Sequence, residues 1–321
     1  MPTDRGYTDA VIAAVEGGLN LIDTAINYRF QRSERSVGSA LRRLISRGFH
    51  REELVVCTKA GFLTPDGEMP DDPNRYFQEQ YLNSGIFAPD DVAAGCHCLR
   101  SSYLADQLER SRRNLGVECI DVFYLHNPET QLGEISRDEF SRRIRDAFTF
   151  LESMVAAGKI GAYGLATWNA FREDSGSQGF LSVQAMVDVA RAVAGDAHHF
   201  RFIQLPLNLA MPEALTNANQ IVGGKTMAMV QAARPLGLTL VASASLLQGQ
   251  LARKLPPFVQ QVLGLDSDAE RALQFVRSAP GITTALVGMS SAGHVGANLS
   301  LVEAEPVQRD QFLRLFGHNR A

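Results

Sequence analysis

The chain has 321 residues, 45% of them hydrophobic and 21% charged, with a formal net charge of -4. Those proportions allow a large buried core, and the mildly acidic balance supplies no basic patch that would attract nucleic acid or an anionic membrane. No apolar run approaches the roughly 18 residues of a membrane-crossing helix, the start MPTDRGYTDAV lacks the basic and apolar regions of a secretory signal, and four cysteines are too few for a disulfide scaffold. The expectation is a soluble, cytoplasmic protein.

In chain order, residues 8–16 (TDAVIAAVE) have helical spacing, and Gly17-Gly18 supplies the stop. NLIDTA is the first strand; it carries Asp23, and Tyr28 follows five residues later. Ser33 is expected to cap a helix running to Arg47, with Glu34 in the first turn, where a carboxylate favours the helix dipole. The apolar run ELVVCT leads into Lys59, and Cys57 within it reads as a buried thiol packing as a small hydrophobe. Residues 61–102 form a long segment rich in Pro, Asp and Gly, whose Tyr76, Phe77, Tyr81 and Phe87 suggest a packed lid. Its cluster Cys96-His97-Cys98 lacks a second ligand pair at metal-site spacing, which favours a loop cluster without metal.

Four helix-then-strand units follow, with helices at 103–115, 137–157, 180–194 and 221–234 and strands at 119–125, 160–166, 201–206 and 238–244. A helix at 267–278 precedes strand 283–288, and a short helix starts at Ala292. In the tail, 303–321, the spacing of Val307, Phe312, Leu315 and Phe316 suits an amphipathic helix lying on the domain.

This alternation, without a break in composition, predicts one α/β domain over 1–321, a barrel of parallel strands whose carboxyl ends open on one face. Asp23, Lys59 and His126 each sit at such a strand end, and Tyr28 lies just beyond one. Taken singly, each has an ordinary reading: a packing tyrosine, a turn-capping aspartate, a solvated lysine, a core histidine. Ordered on successive strand-helix units, the four read as one proton-handling site. Only seven strands are visible, whereas a closed barrel of this type has eight. The missing one would precede the first helix, so the chain is expected to begin late and to leave strand edges unpaired.

These residues resemble the aldo/keto reductase family. The resemblance is carried by Asp23-Thr24-Ala25 with Tyr28, Thr58-Lys59, Leu125-His126, GKIGAYGLATW (158–168), Gln204 in FIQLPLN, SLLQG (245–249), and ALVGMSS with Asn298. These segments occur in the family's order, from about Arg5 to about Leu301. The resemblance implies a TIM-type (β/α)8 barrel that transfers a hydride between NADP(H) or NAD(H) and a small aldehyde, ketone or alcohol. It leaves open a second possibility, a non-catalytic cofactor-binding regulatory or interaction subunit on the same fold.

Under this resemblance Tyr28 is the general acid, Lys59 the cation that makes a phenol of ordinary pKa about 10 useful near neutrality, and Asp23 the carboxylate that orients Lys59. His126 hydrogen-bonds the substrate oxygen. Cofactor contacts are expected from Thr167, Gln204, Ser243, Leu246, Gln248, Gly288, Ser290, Ser291, His294 and Asn298. The usual Ser-Asn pair after the fifth family strand is replaced by Ala166-Thr167, and the aromatic that stacks on the nicotinamide by Ser243. Around Ser290 and Ser291 no Lys or Arg meets a 2′-phosphate; His294 is the nearest candidate cation. Two residues beyond the usual family spacing between Tyr28 and Ser33 are expected to reshape the rim near Phe30. The substrate pocket is expected from the long segment, Trp168 and the tail.

Overall fold

The first helix, α1 (Asp4–Glu16), begins where the Thr3 side chain accepts from the Gly6 amide at 3.1 Å, four residues ahead of the predicted start. Capping satisfies one of the amides that a helix start leaves without a partner. The computed structural model describes residues 3–317, which divide into two compact units: one runs to residue 167 and takes in 185–202, and the other comprises 168–184 and the residues from 203 on.

In the first unit, β1 (Leu21–Asp23) and β2 (Val55–Ala60) pair in parallel. Between β1 and β2 lies α2 (Arg32–Ser46). The predicted cap is corrected here. Helix α2 starts at Arg32, and the preceding residue is Gln31, in left-handed conformation with no side-chain cap bond. Gln31 instead donates to the Pro65 carbonyl and accepts from Asn114, which fixes the helix entry from outside. Glu34 does lie in the first turn, but it is wholly buried, accepting from Thr58 Oγ1 at 2.7 Å and Asn114 Nδ2 at 2.9 Å. Burial pushes its carboxyl above the ordinary value, opposed by Asn114, Ser111 and Thr58.

The long segment after β2 is structured. It holds α3 (Pro73–Phe77), a π-type turn over Gln78–Leu82, and an antiparallel hairpin of β3 (Val92–Ala93) and β4 (His97–Cys98). Tyr81, Phe87, Cys98 and Tyr103 form its buried core, with Phe77 and Leu63 packed against them. Helix α4 (Ser101–Leu115) then leads to β5 (Ile120–His126), α5 (Arg137–Ala156) to β6 (Ile160–Ala166), and α6 (Val183–Ala194) to β7 (Phe200–Pro206). Strand β5 is buried along almost its whole length, as expected of a parallel strand covered on both faces. Registers place Asp23 beside Cys57, Lys59 beside Tyr124, and His126 beside Ala166. The strand order in this unit is β1-β2-β5-β6-β7.

Strand β7 continues into the second unit, where its neighbours are β10 (Thr239–Ser243) and then β11 (Ile282–Ala285), the last two parallel. The predicted helix over 221–234 is overturned. After α7 (Glu213–Thr216), residues 220–227 form an antiparallel hairpin, β8 (Gln220–Val222) with β9 (Lys225–Met227), followed by only a short helix, α8 (Met229–Ala232). The hairpin turn is Gly223-Gly224, both at positive φ, the conformation that glycine adopts without a Cβ clash. Helices α9 (Pro257–Leu263), α10 (Asp268–Ser278, capped by Ser267), α11 (Ala292–Leu299) and α12 (Arg309–Leu313) complete the unit. In the tail, Phe312 is buried and stacks on Phe275 of α10 at 5.2 Å, while Phe316 stays partly exposed. Among the described residues no helix is long and apolar enough to cross a membrane. The sheet contains seven strands, with β1 and β11 last in the order.

Candidate active site

The first unit brings Asp23, Tyr28, Lys59 and His126 together. Strand β1 ends on Asp23, β2 presents Lys59 one residue before its end, and β5 ends on His126. The Lys59 side chain is fully buried, with Nζ 2.5 Å from Asp23 Oδ1 and donating to the Thr24 carbonyl at 2.8 Å. The same ammonium lies 4.9 Å from the centre of the Tyr28 ring, and Tyr28 meets the His126 ring edge-on at 5.8 Å. Tyr28 alone of the four is substantially open, at 40% exposure. One face of the phenol is therefore accessible to a ligand while its flanks meet a cation and an imidazole.

Burial opposes the charge on Lys59, but the Asp23 carboxylate outweighs it and holds the ammonium above its ordinary pKa. His126 goes the other way. Burial, the Lys59 cation and His97 push it well below the ordinary histidine value, so it is a neutral imidazole near pH 7. Its Nδ1 lies 3.2 Å from Asn27 Oδ1.

Tyr28 is presented by a turn in which Arg29, Phe30 and Gln31 are consecutively left-handed, at φ of 52°, 55° and 69°. Such conformations cost non-glycine residues on the order of 1 kcal/mol or more each. This run makes up most of the stretch between Tyr28 and Ser33. It is held by the Gln31 contacts and by Arg29, which stacks on Tyr7 and pairs with Asp4.

Sequence reasoning missed Asn27, Phe62 and His97, which surround His126, and Gln131, which bonds His97. His97 drew notice only as a metal candidate. Its actual partners, the His126 carbonyl and Gln131, lie 29 and 34 residues away, beyond any local pattern. Cys98 points into the aromatic core of the long segment.

Of the candidate cofactor residues, Thr167 is buried just past β6 in the first unit. The others belong to the second. Gln204 is buried in β7, and Ser243 closes β10, half-buried. Leu246 and Gln248 lie in a turn where Gln248 and Gly249 are left-handed. Ser245, beside them, donates to the Leu286 carbonyl at 2.7 Å. Gly288 and Ser290 lead into α11, whose cap is Ser291, accepting from the His294 amide at 3.3 Å. His294 is exposed and Asn298 half-buried on that helix. A helix start of this kind offers amides without intrahelical acceptors, which suit a phosphate.

The sequence model of the aldo/keto reductase family matches residues 3–175, more than half of the chain. The chain belongs to the aldo/keto reductase family. Asp23, Tyr28, Lys59 and His126 all lie within the matched part. Its curated relatives include a D-threo-aldose 1-dehydrogenase of a Pseudomonas species, 30% identical over 155 residues, covering 48% of this chain and 42% of the relative. An NADH-specific methylglyoxal reductase of Escherichia coli K12 is 28% identical over 163 residues, 50% of this chain and 41% of the relative. The matched stretches thus span less than half of either relative.

Among solved structures, a holo aldo-keto reductase of Bacillus halodurans aligns with 97% of this chain and 86% of its own, at TM-score 0.64 and 20% identity. A Klebsiella pneumoniae aldo/keto reductase in complex with NADP and acetate gives 98%, 85%, 0.64 and 18%. A glycerol dehydrogenase of Gluconobacter oxydans gives 98%, 84%, 0.65 and 20%. The fold of this family member is therefore the α/β, TIM-type barrel fold of those enzymes.

Proposed function

We propose that this aldo/keto reductase transfers a hydride between a nicotinamide dinucleotide and a small aldehyde, ketone or alcohol, with Tyr28 as the general acid. The carrying observation is the half-exposed phenol of Tyr28 set between the Lys59 ammonium and the neutral His126 imidazole. Reduction of a carbonyl develops negative charge on its oxygen, and a proton donor at that oxygen is worth roughly 100- to 10,000-fold. Tyr28 gives that proton. Lys59, kept charged by Asp23, stabilises the phenolate left behind, and His126 orients the substrate oxygen.

The donor set fits the dinucleotide. Gln204 offers a buried amide for a carboxamide, Ser291 and the α11 amides suit a phosphate, and Asn298 lies near the far end of the same helix. When bound, the cofactor supplies or accepts the hydride. Relatives named for NADH specificity and solved with NADP support either form. The four free cysteines fit a reducing cytosol. The non-catalytic alternative rested on Ser243 and Ala166, which bear on cofactor contact, and on the strand expected ahead of the first helix; a regulatory subunit would have no use for the group assembled around Tyr28.

The test is oxidation of reduced cofactor against a panel of aldehydes and ketones, with parent and Tyr28→Phe chains. Turnover is expected to fall about 100-fold or more in the variant with cofactor affinity unchanged. Near-normal turnover would remove Tyr28 from the role of proton donor.

A further inference from the structure

We infer that His97 is a positioning residue for His126: a directed chain of hydrogen bonds, Arg143 to Gln131 to His97, fixes one tautomer of His97, whose Nε2–H ties down the His126 backbone carbonyl. The inference rests on the reading of His126 as the residue that orients substrate.

The direction of the chain follows from its first member. A guanidinium only donates, so Gln131 Oε1, 3.0 Å from an Arg143 nitrogen, must accept. That assigns the other end of the amide. Gln131 Nε2 faces His97 Nδ1 at 3.2 Å and donates to it, which leaves Nδ1 unprotonated. The proton of a neutral His97 then sits on Nε2, which donates to the His126 carbonyl at 2.7 Å. Each member can take only one state because its neighbour has been assigned. Arg143 is itself anchored, pairing with Glu139 at 2.7 Å and donating to the Asp90 and Asp91 carbonyls.

Independent packing supports the same role. His97 and Gln131 are wholly buried. The Phe62 ring stands edge-on to both His97 and His126, at 5.1 and 5.2 Å, and so spaces the two imidazoles. Gly61 closes the arrangement: a Cβ there would lie 2.7 Å from His97 Nε2 and 2.9 Å from the His126 carbonyl oxygen, across the bond between them. Its φ of +146° also disfavours a side chain. The β3-β4 hairpin that carries His97 is stitched to this glycine by the Cys98 amide, which donates to the Gly61 carbonyl at 2.8 Å. The long segment thus delivers a clamp to the end of β5. A protonated His97 would turn an N–H toward the Gln131 amide donors, and burial agrees by pushing its pKa down to about 4.

The experiment is a long-range imidazole proton-nitrogen spectrum of the full chain with labelled histidine, together with kinetics of His97→Leu, His97→Gln and Gln131→Glu. In the parent, His97 is expected as the neutral Nε2–H form throughout about pH 5.5 to 8; an Nδ1–H or imidazolium pattern overturns the inference. His97→Leu should shift the His126 ring signals and lower kcat/KM by about tenfold or more, with cofactor affinity unchanged. His97→Gln, which can still donate to the carbonyl, should restore both to within about threefold; failure of that rescue removes the proposed bond. Gln131→Glu has no donor for Nδ1, so His97 should become protonated near neutral pH, and a spectrum like the parent's would break the chain of donors. That variant also decides the matter should His97→Leu not fold. Unchanged turnover in Tyr28→Phe would defeat the proposed function, while the imidazole spectra would still judge the clamp.

Discussion

At the scale of single residues, the titrating groups around Tyr28 make opposite contributions to stability. Lys59 has a raised pKa, so its stabilisation is complete at neutral pH and is lost only in strong alkali, as pH passes the folded value. His97 is lowered to about 4 and His126 well below its ordinary value, each mainly by burial. Their unfolded forms take up protons near pH 6.5 while the folded forms do not. Stability is therefore full above about pH 6.5 and declines as pH falls toward 4, by on the order of 3 kcal/mol for His97. Melting curves of the parent between about pH 7 and 4.5 should show this slope, and His97→Gln should flatten it. Equal slopes in the two chains would mean that His97 is not held neutral by the fold.

At the scale of elements, the contact between α2 and α4 depends on Gly38. A Cβ there would sit 2.3 Å from the Asn114 carbonyl oxygen and 2.8 Å from that of Leu115, both backbone atoms that cannot step aside. Alanine gains up to about 1 kcal/mol of helix propensity over glycine, but separating two packed helices costs about 1–3 kcal/mol. Gly38→Ala should lower the melting temperature by several degrees, whereas Gly133→Ala, with open space around it, should not. The same elements mark how far the sequence was legible. Strands β2 and β5 stood out because both faces are buried, leaving continuous apolar runs that lead into Lys59 and His126. Residues 221–234 misled because Ile221, Val222, Met229 and Val230 are spaced for a helix face; the decisive signal was Gly223-Gly224, a hairpin turn between two short strands. Ser33 looked like a cap, but long-range bonds of Gln31 set the start of α2. Asp23, Tyr28, Lys59 and His126 were legible because each lies at or just past a strand end, whereas His97 and Gln131 act through contacts that only the folded hairpin creates.

At the scale of the molecule, the candidate residues for proton handling and for cofactor contact fall in different units. Asp23, Tyr28, Lys59 and His126 belong to the first, and all candidate cofactor residues but Thr167 to the second. On the proposed reading, cofactor choice rests with side chains outside the group that holds Tyr28. From Gly288 to Asn298 the only basic side chain is His294, which is exposed. Without a guanidinium or ammonium there, a 2′-phosphate lacks a charge-assisted contact. Discrimination between the two nicotinamide dinucleotides should stay within about tenfold, or roughly 1.4 kcal/mol. A thousandfold preference for the phosphorylated form, read by titration of both, would point to another cation, with exposed Arg253 and Lys254 the next to test.

The aromatic core of the long segment also turns one cysteine into a timer. Cys98 is enclosed by Tyr81, Phe87 and Tyr103, and burial pushes its thiol up to about 12, so a thiol reagent finds neither access nor thiolate. Cys96, two residues earlier, is partly exposed and reads the reagent directly. In one peptide, then, the ratio of the two labelling rates measures how often the ring stack parts. Cys98 should lag Cys96 by about 100-fold or more. A substrate that seats against this segment would lengthen the lag and leave Cys96 unchanged, which makes mass spectrometry of a single fragment a screen for ligands with no assumption about turnover.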